Sequence, residues 1–224
     1  ARGIARTGHW FLMNGTVPHF MPYADHPHLG IWLIALVFHI LPAADWSARI
    51  PGIVFYAAFL GLFFHFLRKV IGLRHAVVAT IVLWSFYRFS NFFSNVYLDP
   101  GALFFGTGAV FWLYEGLTEK RRGKCLIAGA CLALCVMTKG LTALGFLPAI
   151  LFVAGLAWRK KKENTRAFLR RFAWFDWAGT VVAGAYLLTV HLCAPGLIQK
   201  YWNNQWVNRF AHQWDWSLLF GWRF

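Results

Sequence analysis

The stretch CLIAGACLALCVMTKGLTALGFLPAILFVAGLA, residues 125–157, is apolar almost throughout, and reading it as one helix or two sets the topology of the chain. As a single α-helix it would run roughly 50 Å at 1.5 Å per residue, well beyond a hydrocarbon core of about 30 Å. The polar Thr138-Lys139-Gly140 in its middle reads as a turn between two spans, 125–138 and 141–157. The first of these is short, but it follows EKRRGK (119–124), whose long side chains snorkel. Further apolar runs at 50–67, 76–93, 101–117 and 173–192 each reach the roughly 17 residues that a crossing needs. The expectation is an all-α polytopic membrane protein with six spans.

Composition and charge agree. The 224 residues are 59% hydrophobic and 19% aromatic, more apolar surface than a soluble domain of this size can hide. A net charge of +14 raises the question of nucleic acid, but the basic residues sit in short clusters between apolar runs: RKVIGLRH (68–75), EKRRGK (119–124) and RKKKENTRAFLRR (159–171). Such clusters are what the positive-inside rule predicts for cytoplasmic loops, so no nucleic-acid partner is expected. With six spans all three fall on one side; with 125–157 as one span the most basic of them would flip. Cys125, Cys131, Cys135 and Cys193 have no CxxC spacing and read as small buried hydrophobes.

The same count places residues 1–48, the turn 91–100, Lys139 and the segment 193–224 together on the non-cytoplasmic face. The expected organisation is a loop with interfacial helices (1–48), a six-span core (49–192) and a second outer-face segment (193–224). In YADHPHLGIW (23–32) the apolar run that begins at Leu29 is too short to cross and is expected to lie in the interface. The opening ARGIARTGHW and the closing LLFGWRF read as the ends of a piece of a larger protein.

Four polar features share that face. Asp25-His26-Pro27-His28 is either a solvated interfacial loop or part of a site, and Asp25 with His28 is a weak candidate pair for a divalent metal. Asp99-Pro100 is either an ordinary helix start, with Asp99 as the cap, or a functional carboxylate at membrane depth. Lys139 either snorkels or binds an anion. YWNNQWVNRF (201–210) is either an aromatic belt or, through Arg209, a contact to a lipid phosphate. The chain has no GxxxxGK[ST] loop, HExxH or GxSxG. Carboxylates with cations at a membrane surface suit transfer from a lipid phosphate: an acid deprotonates the acceptor while cations hold the leaving phosphate.

Five stretches carry a family resemblance in their order and spacing: ARGIARTGHWFLMNGTVPHF, YADHPHLGIWLIALVFHILPAADWSARIPGIVF, NVYLDPGALFF, GKCLIAGACLALCVMTKGLTAL and YWNNQWVNRF. Together they resemble the bacterial GT-C glycosyltransferases of the group that holds the protein O-mannosyltransferases and the lipid A aminoarabinose transferase. The resemblance implies a multi-pass enzyme of the bacterial inner membrane. Its donor would be a polyprenyl-phosphate sugar met on the periplasmic face, and its acceptor a lipid, a glycan or a protein. It also implies roles: Asp25 as the acid before the basic-Pro pair, His26 where many relatives have a lysine facing the donor phosphate, and Asp99 in the Leu-Asp-Pro turn. Lys139 matches the Thr-Lys-Gly and Arg209 the Arg-Phe. The family's main catalytic acid, in an Asp-Glu pair, is expected upstream of Ala1. Two departures, His26 for lysine and Asn203-Asn204-Gln205 where relatives often carry an acid, keep a second reading open. That reading is a catalytically inactive subunit serving as a structural or lipid-binding partner in a membrane complex. A transporter is disfavoured by the lack of paired repeats.

Overall fold

The computed structural model describes residues 1–8, 10–11, 27–86, 91, 98–161 and 164–203. Among the described residues the secondary structure is entirely helical. In chain order the helices are α1 (Arg2–Thr7), α2 (Leu29–Ile40), α3 (Asp45–Ile71), α4 (Leu73–Ser85), α5 (Asp99–Thr118) and α6 (Arg122–Lys139). A 3₁₀ segment (Gly140–Phe146) leads into α7 (Leu147–Lys161), and α8 (Thr165–Cys193) and α9 (Leu197–Trp202) follow.

Each break has a local cause. The chain enters α3 through Ser47, whose hydroxyl donates toward the Pro42 carbonyl at 2.5 Å and accepts the Ala44 N–H at 3.1 Å. A donor that the helix itself leaves unpaired is thereby satisfied. Gly72, at φ 84, separates α3 from α4. Gly140, at φ 63, stops α6 immediately after Lys139. Helix resumes only at Leu147, where Pro148 sits in the first turn and its missing N–H costs nothing. The split expected at 138–140 is therefore present, but the second run differs from expectation: its first six residues, 141–146, form 3₁₀ helix, not α-helix.

The packing is inverted relative to a soluble domain. The buried positions of α5 and α6 are largely small: Gly101, Ala102, Gly106, Gly108, Ala109 and Gly116 on α5, Cys125, Ala128, Gly129, Ala133 and Cys135 on α6. Val77, Val78, Ile81, Val82 and Trp84 of α4 are exposed, as are Leu151, Phe152, Leu187 and Leu188. Small residues let helix backbones approach where lipid, not water, surrounds the bundle. At the α6–α8 crossing a Cβ on Gly129 would collide with the Phe175 carbonyl, so glycine is required there. Larger side chains close the core around Leu113, Leu117, Ile150 and Phe175, and Phe66 stacks on Phe111 with centroids 3.9 Å apart.

Among the described residues, two stretches are both long and apolar enough to cross a membrane: Asp45–Ile71 and Ala143–Lys160. The helices α2 and α4 are apolar but short; the 12 residues of α2 reach about 18 Å. The remainder of the span expected at 76–93 lies mostly outside the described residues.

Contacts in register show that α3 runs parallel to α5 and α8 parallel to α6, while α5 and α6 are antiparallel, so the bundle has two distinct ends. At one end, Glu115 of α5 is buried between Lys69 of α3 (2.7 Å) and Lys124 of α6 (2.5 Å). Glu119 extends the network to Lys124 (2.7 Å) and Arg121 (3.5 Å), and Lys124's hydrogen bond holds its carboxyl below the usual carboxylate range. The Arg122 guanidinium lies 6.0 Å over the Trp174 ring at the start of α8. The first two basic clusters read from the sequence thus meet at one end, and Trp174, three residues past the third, lies against them.

Candidate functional site

The opposite end gathers the start of α5, the close of α6, the approach to α2 and the α8–α9 corner. Antiparallel packing sets the N-terminus of α5 beside the C-terminus of α6, so the helix dipoles favour an acid on the first and a cation on the second. Asp99 and Lys139 occupy those positions and form an ion pair, with their side chains 26% and 24% exposed. The cap position of α5 is Leu98; Asp99 is the first helical residue. The reading of Asp99 as the cap is corrected accordingly: its carboxylate turns to a lysine of another helix.

Beside this pair lies an apolar cleft of about 70 Å³, walled by Val136 and Gly140 around the end of α6, Tyr186 and Val190 of α8, and Leu197, Ile198 and Tyr201 of α9. Pro27 and His28 complete it. Gly140 is needed here on two counts. Its φ is positive, and a Cβ would strike the Tyr201 hydroxyl.

His28 is 4% exposed. Its Nδ1 lies 2.8 Å from the Tyr186 hydroxyl and its Nε2 3.3 Å from the Phe11 carbonyl. Its backbone N–H donates to the same Tyr186 oxygen at 3.3 Å. Phe11 and Trp32 pack against the imidazole, with centroids 5.9 and 5.5 Å away. Burial pushes the pKa of His28 below its ordinary value, opposed in part by the bond to Phe11. One turn along α2, the Trp32 indole donates to the Trp10 carbonyl at 2.6 Å.

Of the residues singled out by sequence, the structure therefore brings Asp99 and Lys139 together and places His28 at the cleft with both ring nitrogens in hydrogen-bonding range of protein groups. Asp25, His26 and Arg209 lie outside the described residues. Among the described residues no three His, Cys, Asp or Glu side chains are grouped to hold a metal ion. Sequence reasoning missed Tyr186, Tyr201 and Gly140. A tyrosine inside the apolar run AYLLTVH was the available signal for Tyr186, but nothing local names a partner 158 residues away.

The described residues thus form a helical scaffold with membrane-length apolar helices, on which the Asp99–Lys139 pair stands one residue along the chain from the Gly140 wall of an apolar cleft. That is the class of protein that fold and cleft define. The chain belongs to the dolichyl-phosphate-mannose-protein mannosyltransferase family, whose model matches residues 25–175. Its fold is similar to that of ArnT from Cupriavidus metallidurans. The apo crystal structure of that protein superposes with a TM-score of 0.75 at 18% identity, covering 89% of this chain and 37% of that one. A second crystal structure, of the same protein bound to undecaprenyl phosphate, gives a TM-score of 0.73 at 18% identity, covering 96% and 38%. The chain thus spans well under half the length of the structures it matches. No curated protein sequence matches it significantly.

Proposed function

We propose that the protein is an integral-membrane glycosyltransferase that moves a sugar from a polyprenyl-phosphate-linked donor to a lipid, glycan or protein acceptor. In this reading it crosses the bacterial inner membrane six times here, with its basic end cytoplasmic and the Asp99–Lys139 end periplasmic. The observation that carries the reading is the Asp99–Lys139 pair, one residue along the chain from the Gly140 wall of an apolar cleft, in a chain of this family. The cleft takes the first prenyl units and Lys139 the phosphate, with His26 and Arg209 as further phosphate contacts.

The chemistry is a displacement at the anomeric carbon. The acceptor oxygen forms a bond to that carbon, the bond from carbon to phosphate oxygen breaks, and polyprenyl phosphate leaves with the electron pair. Configuration inverts in this single displacement. A carboxylate takes the acceptor proton, with Asp25 and Asp99 orienting the acceptor. Lysine and arginine stabilise the charge that develops on the departing phosphate, where donors already in place act most strongly. Asp99 holds the Lys139 ammonium in place beside the cleft wall, so that no reorganisation is needed as that charge grows.

Two experiments test this. Mass spectrometry of envelope glycolipids and glycoproteins, with and without the gene, identifies the transferred sugar and its acceptor. In the full-length protein, Asp25→Asn, Asp99→Asn and Arg209→Ala should each slow the transfer so found. Wild-type rates in all three would overturn the site.

A further inference from the structure

The bonds around His28 fix its tautomer. A carbonyl only accepts, so the contact to Phe11 requires a proton on Nε2. Nδ1 is then the bare acceptor, and the Tyr186 hydroxyl donates to it at 2.8 Å. The tyrosine oxygen in turn accepts the His28 backbone N–H at 3.3 Å. That N–H precedes the first bond of α2, made by Trp32 N–H to the His28 carbonyl, so no partner within the helix exists for it. One tyrosine of α8 thereby satisfies both the side chain and the backbone of the residue that starts α2.

The location gives this arrangement its consequence. His28 and Tyr186 both line the apolar cleft, and Pro27 beside His28 is part of its wall. His28 and Trp32, one turn apart on α2, also hold the consecutive carbonyls of Phe11 and Trp10. We propose that His28 and Tyr186 are positioning residues, a reciprocal hydrogen-bonded clamp that fixes the Pro27 wall of the cleft against α8 and so sets the affinity for the polyprenyl-phosphate donor. The inference rests on the donor-site reading above. It assigns to His28 a task in shaping the cleft, distinct from contact with phosphate or metal.

The test uses the full-length protein, with undecaprenyl phosphate as the binding probe and sugar transfer as the second readout. Tyr186→Phe keeps the ring and removes both bonds. It should weaken undecaprenyl phosphate binding about tenfold, the scale of one or two buried hydrogen bonds, and raise the donor KM while kcat holds. The two amides then separate the ring nitrogens. His28→Asn places an oxygen where Nδ1 stands and should stay within about threefold of wild type. His28→Gln extends past that point and should behave as Tyr186→Phe does. Equal affinities in His28→Asn and His28→Gln, or wild-type affinity in Tyr186→Phe, would overturn the clamp. Lys139→Ala is the control for the reading beneath it. Unchanged binding there removes the donor site itself, whereas weakened binding there with wild-type behaviour in Tyr186→Phe removes the clamp alone.

Discussion

The two ends of the bundle handle charge in opposite ways. At the basic end a buried carboxylate, Glu115, is held by lysines from two other helices, and Glu119 ties in Lys124 and Arg121. At the other end Asp99 and Lys139 meet with about a quarter of each side chain open to solvent, beside a cleft walled by apolar groups. A carboxylate cross-linked on two sides staples helices; a pair a quarter open to solvent can exchange partners, which is what the proposed function asks of it. The same kind of interaction is buried and cross-linked at one end and partly open at the other, and the proposed donor site makes use of the open one.

The largest effect that distinguishes the ends falls on catalysis. Lys139→Ala and Asp99→Asn should each slow sugar transfer by about a hundredfold or more, roughly 2.7 kcal/mol in the barrier, with little change in melting temperature. Rates within a few-fold of wild type would erase the contrast. At the basic end, Glu115→Gln leaves two lysines facing a neutral amide. It should cost about 2 kcal/mol of stability, discounted from a fully buried pair because Lys69 is 42% exposed. Thermal unfolding in detergent measures this, and the affinity for undecaprenyl phosphate should stay unchanged. Gly140→Ala joins both readouts: the positive φ and the Tyr201 hydroxyl oppose a methyl group. A loss of about 1–2 kcal/mol in stability is expected, together with weaker donor binding.

The smallest effects concern pH, and here two neighbouring histidines differ in sign. The folded pKa of His28 lies below the unfolded value near 6.5, so between the two the unfolded chain binds more protons. Its contribution to stability is complete above about pH 6.5 and is lost as the pH falls through that window. His28→Asn should flatten that part of a melting-temperature profile. His26, acting as a cation toward phosphate, predicts the reverse trend in binding: donor affinity weakens as the pH rises past about 6.5. An affinity that is constant between about pH 5.5 and 8 would count against that role.

Features set by local pattern were legible in the sequence. The turn after Lys139 followed from a polar Thr-Lys-Gly inside an apolar run, and the shortness of α2 followed from the length of its run. Pairing between distant elements was not legible. EKRRGK shows an acid among bases, but nothing shows that Glu115, one turn earlier, sits between Lys69 and Lys124. Asp99 before Pro100 has the appearance of a cap, and only antiparallel packing turns its carboxylate toward Lys139. His28 was read for its ligating atoms, whereas a tyrosine from the end of α8 takes one ring nitrogen and the backbone N–H together.

The central claim, that the Asp99–Lys139 end holds the donor, is tested most directly by photocrosslinking. A polyprenyl phosphate bearing a photoreactive group in its first prenyl units would be bound to the full-length protein, irradiated, and the labelled peptides mapped by mass spectrometry. Label on the peptides that carry Val136–Gly140 and Leu197–Tyr201, competed away by undecaprenyl phosphate, is the expected result. Competed label on the peptides around Lys69 and Lys124, with none at the cleft, would contradict it.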